Sequence, residues 1–314
     1  MMNTRQARVI DPVLTTIAQG YKHADRVGST LFPAIPVEVR GGTVLEFGRE
    51  GFRIYAARRA PGANTLQISF GYKGKPFELV QDALNSAIPR ELLHDARAVP
   101  SVDLGIRAIN TCMYSLTLSL EDEQAKLATD PDRYSADHKL SLSGDSQWSS
   151  SDSDPKKDIE TAKEAVRTTA GLDPNKMVVS KPVFNALKDH PRITERFKYT
   201  SSDSITAAML ANLFDLDTLA VGKAAALASA DENASFVDVW GNCAVLAYVP
   251  NAPSGAEEPS FGYTYTLTGH PFVEEPYWDG DRKSWVYGVT YERLPVLTGI
   301  ASGFLFQNVV TPSK

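Results

Sequence analysis

The 314-residue chain has little of what several specialised protein classes require. It contains only two cysteines, Cys112 and Cys243, so a dense disulfide framework is excluded and reduced, buried thiols are expected. No uninterrupted apolar run approaches the roughly 18 residues that cross a bilayer, so we expect no membrane segment. Basic residues are not in excess, since 32 Lys and Arg against 38 Asp and Glu give a net charge of −6. This balance argues against a protein that binds nucleic acid by neutralising its phosphates.

Residue patterns for catalysis or metal binding are also scarce. The five histidines include no pair at the i, i+4 spacing of a helical metal site, and no Cys-x-x-Cys occurs. Residues 144–148 lack the second glycine of a hydrolase nucleophile elbow, and residues 221–224 lack parts of a phosphate-binding loop. The acidic run at residues 121–123 is interpreted as solvated surface. We predict no enzyme activity, no metal and no cofactor, with a soluble α+β enzyme or binding domain as the alternative.

The apolar and helix-capping patterns predict a mixed α+β protein with a long helix. An apolar stripe with steps of three or four residues predicts a helix over residues 102–128, with Ser101 as its N-cap. The members of the stripe are Val102, Ile106, Ile109, Met113, Leu116 and Leu120. Asp154 and Pro155 predict the start of another helix. The serine-rich residues 141–153 are typical of a connector. Strand-like residues 236–240 and 243–249 flank a two-residue turn signal, and Asp279-Gly280 predicts the turn of a last hairpin.

Two segments in the first quarter of the chain carry apolar residues without a local core. Pro33 and Pro36 favour an extended course for the segment that contains Leu31, Phe32 and Ile35. Residues 42–82 predict strands with a hairpin turn at residues 71–74. Before that turn, one strand face carries Leu66, Ile68, Phe70 and Tyr72. Each segment needs an apolar surface to lie on, either in its own chain or in a neighbouring one.

The order of several short motifs resembles the major capsid proteins of tailed bacteriophages, whose Hong Kong ninety-seven fold is shared with encapsulins. The most specific stretch is residues 175–193, Asn-Lys-Met-Val-Val-Ser-Lys-Pro-Val-Phe-Asn-Ala-Leu-Lys-Asp-His-Pro-Arg-Ile. Similar proteins also carry motifs like residues 31–37, 221–224, 239–241 and 248–250. The resemblance covers roughly residues 25–300, and the order of these motifs makes it specific.

The resemblance implies an α+β phage major capsid fold with five parts. They are an N-terminal arm at residues 1–38, an extended β-hairpin loop at 39–84, a peripheral domain at 85–150 with the spine helix 102–128, an axial domain at 151–262, and a return to the peripheral domain at 263–314. The arm and the loop would then lie across neighbouring subunits. We therefore predict contacts between subunits at Leu31, Phe32, Ile35, Leu66, Ile68, Phe70 and Tyr72.

The resemblance also implies the function. A subunit of this kind self-assembles as hexamers and pentamers into an icosahedral shell, which encloses double-stranded DNA without sequence-specific binding. Scaffolding and portal proteins are expected partners, and decoration proteins are optional ones. The protein would be made and assembled in the bacterial cytoplasm and end in the virion. An encapsulin-like nanocompartment shell is the alternative within the same fold.

Overall fold

A computed structural model of the protein describes residues 10–46, 58–59, 73–96, 103–198, 204–229, 231, 234–251 and 258–311. The helices are α1 Pro12–Gly20, α2 Arg90–Ala96, α3 Leu104–Thr129, α4 Pro155–Ala170, α5 Lys181–Asp189, α6 Pro191–Phe197 and α7 Ala207–Leu213. The strands are β1 Ala34–Val37, β2 Gly41–Glu46, β3 Lys73–Glu78, β4 Val80–Pro89, β5 Lys139–Ser141, β6 Lys176–Ser180, β7 Thr218–Gly222, β8 Ala225–Leu227, β9 Phe236–Asp238, β10 Cys243–Ala247, β11 Gly262–Leu267, β12 Phe272–Val273, β13 Tyr277–Asp279, β14 Ser284–Leu297 and β15 Gly303–Gln307.

One six-stranded sheet is organised along β14, which is 14 residues long. This strand pairs antiparallel with β4, β11, β12 and β13, and β1 joins the edge of β11 in parallel. The turn signal at Asp279 and Gly280 correctly predicts the β13–β14 hairpin, in which Tyr277 lies opposite Val286. The sheet is covered by α1 and the first half of α3, whose apolar side chains form one core with β12 and β14.

A second, five-stranded sheet has the order β5-β15-β10-β6-β7. Its central strands are buried on both faces, because successive side chains point to opposite sides and both sides are covered. On β10, Leu246 belongs to the core beneath α4, α5 and α7, whereas its neighbour Val245 belongs to the core on the opposite face. This sheet also contains β5 and β15, which fall within the residue ranges predicted for the peripheral domain, 85–150 and 263–314.

The long helix α3 joins the two sheets. It has 26 residues, or about 39 Å, and confirms the helix predicted from the apolar stripe. Ile109 and Met113 pack in the core of the six-stranded sheet, whereas Ala125 and Ala128 pack against the five-stranded sheet. The N-cap is Asp103, whose carboxylate accepts hydrogen bonds from the next turn, and not Ser101, which lies outside the described residues.

The serine-rich segment at residues 141–153 is packed structure and not a free connector. Trp148 is fully buried against Phe306, with their ring centroids 5.2 Å apart, and its indole Nε1–H donates to Asp158 at 2.9 Å. The following helix α4 begins as predicted, with Asp154 as N-cap, and it ends at Gly171, whose φ of 72° suits glycine. The many serines in this segment make it look like a connector, although one large apolar residue, Trp148, packs in the core.

Two small ribbons extend from the sheets. In the first, β2 pairs with β3, so Gly74 lies opposite Leu45 inside a strand and not in the predicted hairpin turn. Glycine suits this strand position because the paired strand approaches closely, and a Cβ on Gly74 would collide with the side chain of Thr43. In the second, β8 pairs with β9. Gly241 does turn the chain, with φ of 54°, but the strands that flank it belong to different sheets.

Both cysteines are free thiols, as predicted. Cys112 is buried beside α1 and Cys243 is half-buried on β10, and burial raises the pKa of each thiol. We expect the urea midpoint of the purified subunit to be unchanged by dithiothreitol, because no bond is present to reduce. A lower midpoint in reductant would show that a disulfide forms in solution.

Candidate assembly surfaces

Three of the predicted intersubunit residues are core residues of their own chain. Leu31 and Phe32 have no exposed surface, and the Phe32 ring lies 5.6 Å from the ring of Phe261. Ile35 is 7% exposed, because β1 pairs in parallel with β11 and places it beside Tyr265. Burial within their own chain leaves these three side chains little surface for the predicted contact with a neighbour. The other four predicted contacts, Leu66, Ile68, Phe70 and Tyr72, lie outside the described residues.

A buried carboxylate joins the N-terminal segment, α3 and the region of the five-stranded sheet. Glu121 accepts hydrogen bonds from the backbone N–H of Val27 at 3.0 Å and of Gly28 at 2.9 Å. It also accepts one from the indole Nε1–H of Trp240 at 2.7 Å. Glu121 is 2% exposed, so its interpretation as solvated surface is wrong. A Cβ at position 28 would lie within 3 Å of the side-chain ends of Gln124 and Glu121, so a larger residue there would displace them.

The first ribbon is fixed at its base by a charged and an aromatic contact. Arg40, next to β2, donates from Nε and Nη2 to the buried carboxylate of Glu292 at 2.7 and 2.9 Å. The Glu292 backbone N–H donates to Nδ1 of His270, which is therefore an acceptor there. On β3, the Phe77 ring stacks on Tyr265 with a centroid distance of 4.8 Å. These contacts set the direction in which the ribbon leaves the sheet.

Acid should weaken the Arg40–Glu292 contact. Hydrogen bonding to Arg40 lowers the pKa of Glu292 below its usual 4.5, so the folded protein binds fewer protons here than the unfolded chain. The resulting stability is complete above the unfolded pKa and is lost as the pH falls through the lowered folded pKa. We expect Glu292→Gln to reduce the fall in urea midpoint between about pH 6 and about pH 3. The exposed Glu275→Gln is the charge-matched control, and equal falls in the two variants would contradict this assignment.

Several large apolar side chains remain uncovered in the single chain. Phe236 on β9 is 75% exposed and Val13 on α1 is 68% exposed. Trp278 and Trp285 are each 39% exposed and form an edge-to-face pair at the β13–β14 hairpin. Scattered apolar residues are normal on a surface, but exposed aromatic groups are more typical of contact sites.

One arrangement resembles a nucleophile and base but is structural. Ser153 Oγ lies 3.1 Å from Nε2 of His190, and both residues are buried. The same Nε2 lies 3.0 Å from the carbonyl oxygen of Ser150, so it carries the proton and donates. Ser153 Oγ also donates to that carbonyl at 2.9 Å. A protonated Nε2 cannot accept the serine proton, so this pair closes a loop and does not prepare a nucleophile.

Two further features are absent from the described part of the chain. Within it, no group of three or more His, Cys, Asp or Glu side chains is placed to hold a metal ion. The described helices include none that is both long and apolar enough to cross a membrane.

Comparisons with known proteins place the chain among phage capsid proteins. The family model described as phage major capsid protein E matches residues 133–296. The major capsid protein of Burkholderia phage BcepMu is 34% identical over 306 residues, which cover 96% of this chain and 97% of that protein. The crystal structure of a phage-related protein from Bordetella bronchiseptica RB50 has a TM-score of 0.85 and 46% identity, and the match covers 98% of this chain and 100% of that one. The crystal structure of a virus-like particle from Pyrococcus furiosus shares the fold alone, with a TM-score of 0.55, 11% identity, and coverage of 94% and 96%.

The two sheets, the long connecting helix and the extended ribbon define the capsid-type shell fold that phage heads and encapsulins share. The chain belongs to the phage major capsid protein E family. The resemblance drawn from the sequence motifs is therefore confirmed, and the phage capsid interpretation holds over the encapsulin alternative.

Sequence reasoning missed the residues that join the parts of the subunit. Glu121 was grouped with its acidic neighbours, and nothing local distinguishes it from Asp122. Arg40 and Glu292 are 252 positions apart, so no spacing rule connects them. Phe236 and Trp240 fall in one predicted strand, yet Trp240 is buried and Phe236 is exposed. Whether these residues contact each other or stay exposed is decided by the folded chain and not by their neighbours in the sequence.

Proposed function

We propose that the chain forms the closed icosahedral shell of a phage virion, built from hexamers and pentamers of identical subunits. The observation that carries this proposal is the β2–β3 ribbon. Neither strand pairs with any other strand of the described chain. Val44 on β2 packs in a small core with Leu79 and Tyr265, whereas Thr43, Pro76 and Glu78 on the two strands are exposed. An isolated two-stranded ribbon is marginally stable in water, so the proposal gives it a neighbouring subunit to lie on.

The same proposal extends to the other partners and to location. The shell would enclose double-stranded DNA without reading its sequence, which fits a subunit with a net charge of −6. Scaffolding and portal proteins would direct closure, decoration proteins could be added, and assembly would take place in the bacterial cytoplasm. The protein would act as structural material and not as an enzyme.

The purified full chain tests the proposal directly. We expect analytical ultracentrifugation to show particles of uniform, very large mass, and negative-stain electron microscopy to show closed shells of one or two diameters. If shells need a scaffold, a lysate that co-expresses the neighbouring phage genes should supply it. A small soluble oligomer under both conditions would contradict the proposed function.

The four residues predicted from the sequence alone to contact a neighbouring subunit can be replaced together in one variant. Replacing Leu66, Ile68, Phe70 and Tyr72 with serine should leave a folded subunit that no longer closes shells, because each buried side chain would contribute about 1.5–3 kcal/mol to a repeated contact. Circular dichroism would report folding, and light scattering with microscopy would report assembly. Unfolding of the variant would place these residues in the subunit core, and normal shells would make the contact dispensable.

A further inference from the structure

The second ribbon, β8–β9, presents an apolar surface that the described chain leaves uncovered. Leu227 lies directly opposite Phe236, and Val237 follows on the other side of the same strand. Their exposed fractions are 49%, 75% and 47%, and that of Phe236 is the largest among the described large apolar side chains. No third strand of the described chain pairs with the ribbon. Apolar groups on both faces make it suited to insertion between surfaces and not to lying flat on one.

The ribbon combines this apolar surface with negative charge. Asp238 ends β9 and is exposed, and Asp231 is exposed in the connection between the two strands. Only Ser229, two positions away, contacts the Asp231 carboxylate in the described structure, through a hydroxyl 3.1 Å away. A receiving surface should therefore offer an apolar floor and a basic rim.

One cleft of the same chain has this composition. It lies between the beginning of α4, α6 and α7 and has a volume of about 360 Å³. Its apolar lining is Pro155, Ile193 and Leu213, and its cations are Lys156, Arg192 and Arg196. The lining carboxylates are Asp154, paired with Arg192 at 2.7 Å, and Glu195, and Lys156 pairs with Glu160 outside the lining at 3.3 Å. The lining therefore carries three cations against two carboxylates, and Arg196 is the cation best placed to meet an acidic partner. A cavity of about 150 Å³ holds benzene, so this cleft has room for a phenyl ring.

We propose that the β8–β9 ribbon of one subunit inserts Phe236 into the cleft between α4, α6 and α7 of a second copy of this chain. The ribbon and the cleft consist of different residues, so the contact is heterologous and can be repeated from subunit to subunit around a closed ring. Asp231 and Asp238 then face the rim that carries Arg196. The inference rests on the proposed shell function and adds to it one pair of surfaces within a ring of subunits.

A cysteine pair tests the contact in assembled shells. Phe236→Cys combined with Leu213→Cys should give, on mild oxidation, a ladder of covalent multimers on non-reducing gels, because a disulfide needs Cβ atoms within about 4.5 Å. The single variants and the parent, which keep Cys112 and Cys243, should give no ladder. Covalent dimers from Phe236→Cys alone would show that two ribbons meet each other, and shells without cross-links would show another occupant. Either result overturns the proposal.

A second pair of variants covers the case in which the cysteine pair fails to assemble. Phe236→Ser should weaken association about 30-fold, as loss of a central aromatic anchor does, while Phe236→Leu should keep most of it. Both should melt like the parent, because Phe236 is mostly exposed in the single chain. Normal shells from Phe236→Ser refute the proposed contact and leave the shell function standing. Failure of the parent to form shells refutes the shell function itself.

Discussion

Glu121→Ala should destabilise the subunit by at least about 3 kcal/mol, because it leaves three donors without an acceptor. The Val27 and Gly28 N–H groups and the Trp240 indole N–H all point at this carboxylate, inside a region that excludes water. A buried donor without a partner costs about 1–3 kcal/mol, and three of them act together here. The measurement is urea unfolding of the unassembled subunit, followed by circular dichroism.

Two further variants separate the hydrogen bonds from the charge. Glu121→Gln keeps one acceptor oxygen but turns an amide N–H₂ toward a donor, so its loss should be intermediate. Asp122→Ala on the same helix removes only an exposed pair with Lys126 and should cost less than about 0.5 kcal/mol. If Glu121→Ala and Asp122→Ala lower stability equally, the three-way hydrogen bonding contributes nothing to the fold.

Trp148→Ala should lower the free energy of unfolding by about 3–5 kcal/mol, as large-to-small changes of buried aromatic residues do. The Trp148 indole is fully buried against Phe306, and the backbone N–H of Trp148 donates to the Val309 carbonyl at 2.8 Å. Removal of the ring leaves a cavity and takes away the N–H donor of Asp158, a carboxyl whose pKa burial already raises. The loss should appear in the unfolding of the five-stranded sheet.

Trp148→Phe isolates the hydrogen bond, since it keeps an aromatic ring and removes Nε1–H. Its cost should be well below that of the alanine variant. Trp285→Ala serves as the control for the loss of an indole that is partly exposed. A cost for Trp148→Ala no larger than for Trp285→Ala would mean that residues 141–153 are a loose connector after all.

The features that the sequence predicted well are those set by neighbours along the chain. The stripe through Ile109 and Met113, the cap at Asp154 and the turn at Gly280 each depend on a few consecutive residues, and the structure has all three. The family was also within reach, because the motifs at residues 175–193 and 31–37 follow one another in a specific order. These signals are local or linear, so no three-dimensional information is needed to find them.

The features that could not be predicted from the sequence depend on contacts between distant parts of the chain. Leu31 and Phe32 have no apolar partner near them in the sequence. Phe261 and β11, which help to bury them, lie more than 200 positions later in the chain. Glu121 cannot be told from its acidic neighbours in the sequence, because the Trp240 indole that donates a hydrogen bond to it lies 119 positions later. Of the seven residues predicted to contact a neighbouring subunit, three, Leu31, Phe32 and Ile35, are buried within their own chain. The remaining four stay predictions, since they lie outside the described residues.

The position of β15 has a consequence for how the chain folds as it leaves the ribosome. This strand lies between β5 and β10, and a hydrogen-bond partner of Gly303, His138, is 165 positions earlier. While the 60 residues from Tyr248 to the end of β15 are being made, about 3–12 s at typical elongation rates, the edge of β10 that later pairs with β15 has no partner strand, although β6 can pair with its other edge. A nascent chain therefore exposes a strand edge that is prone to aggregation, and chaperones that hold extended apolar segments have a defined target there.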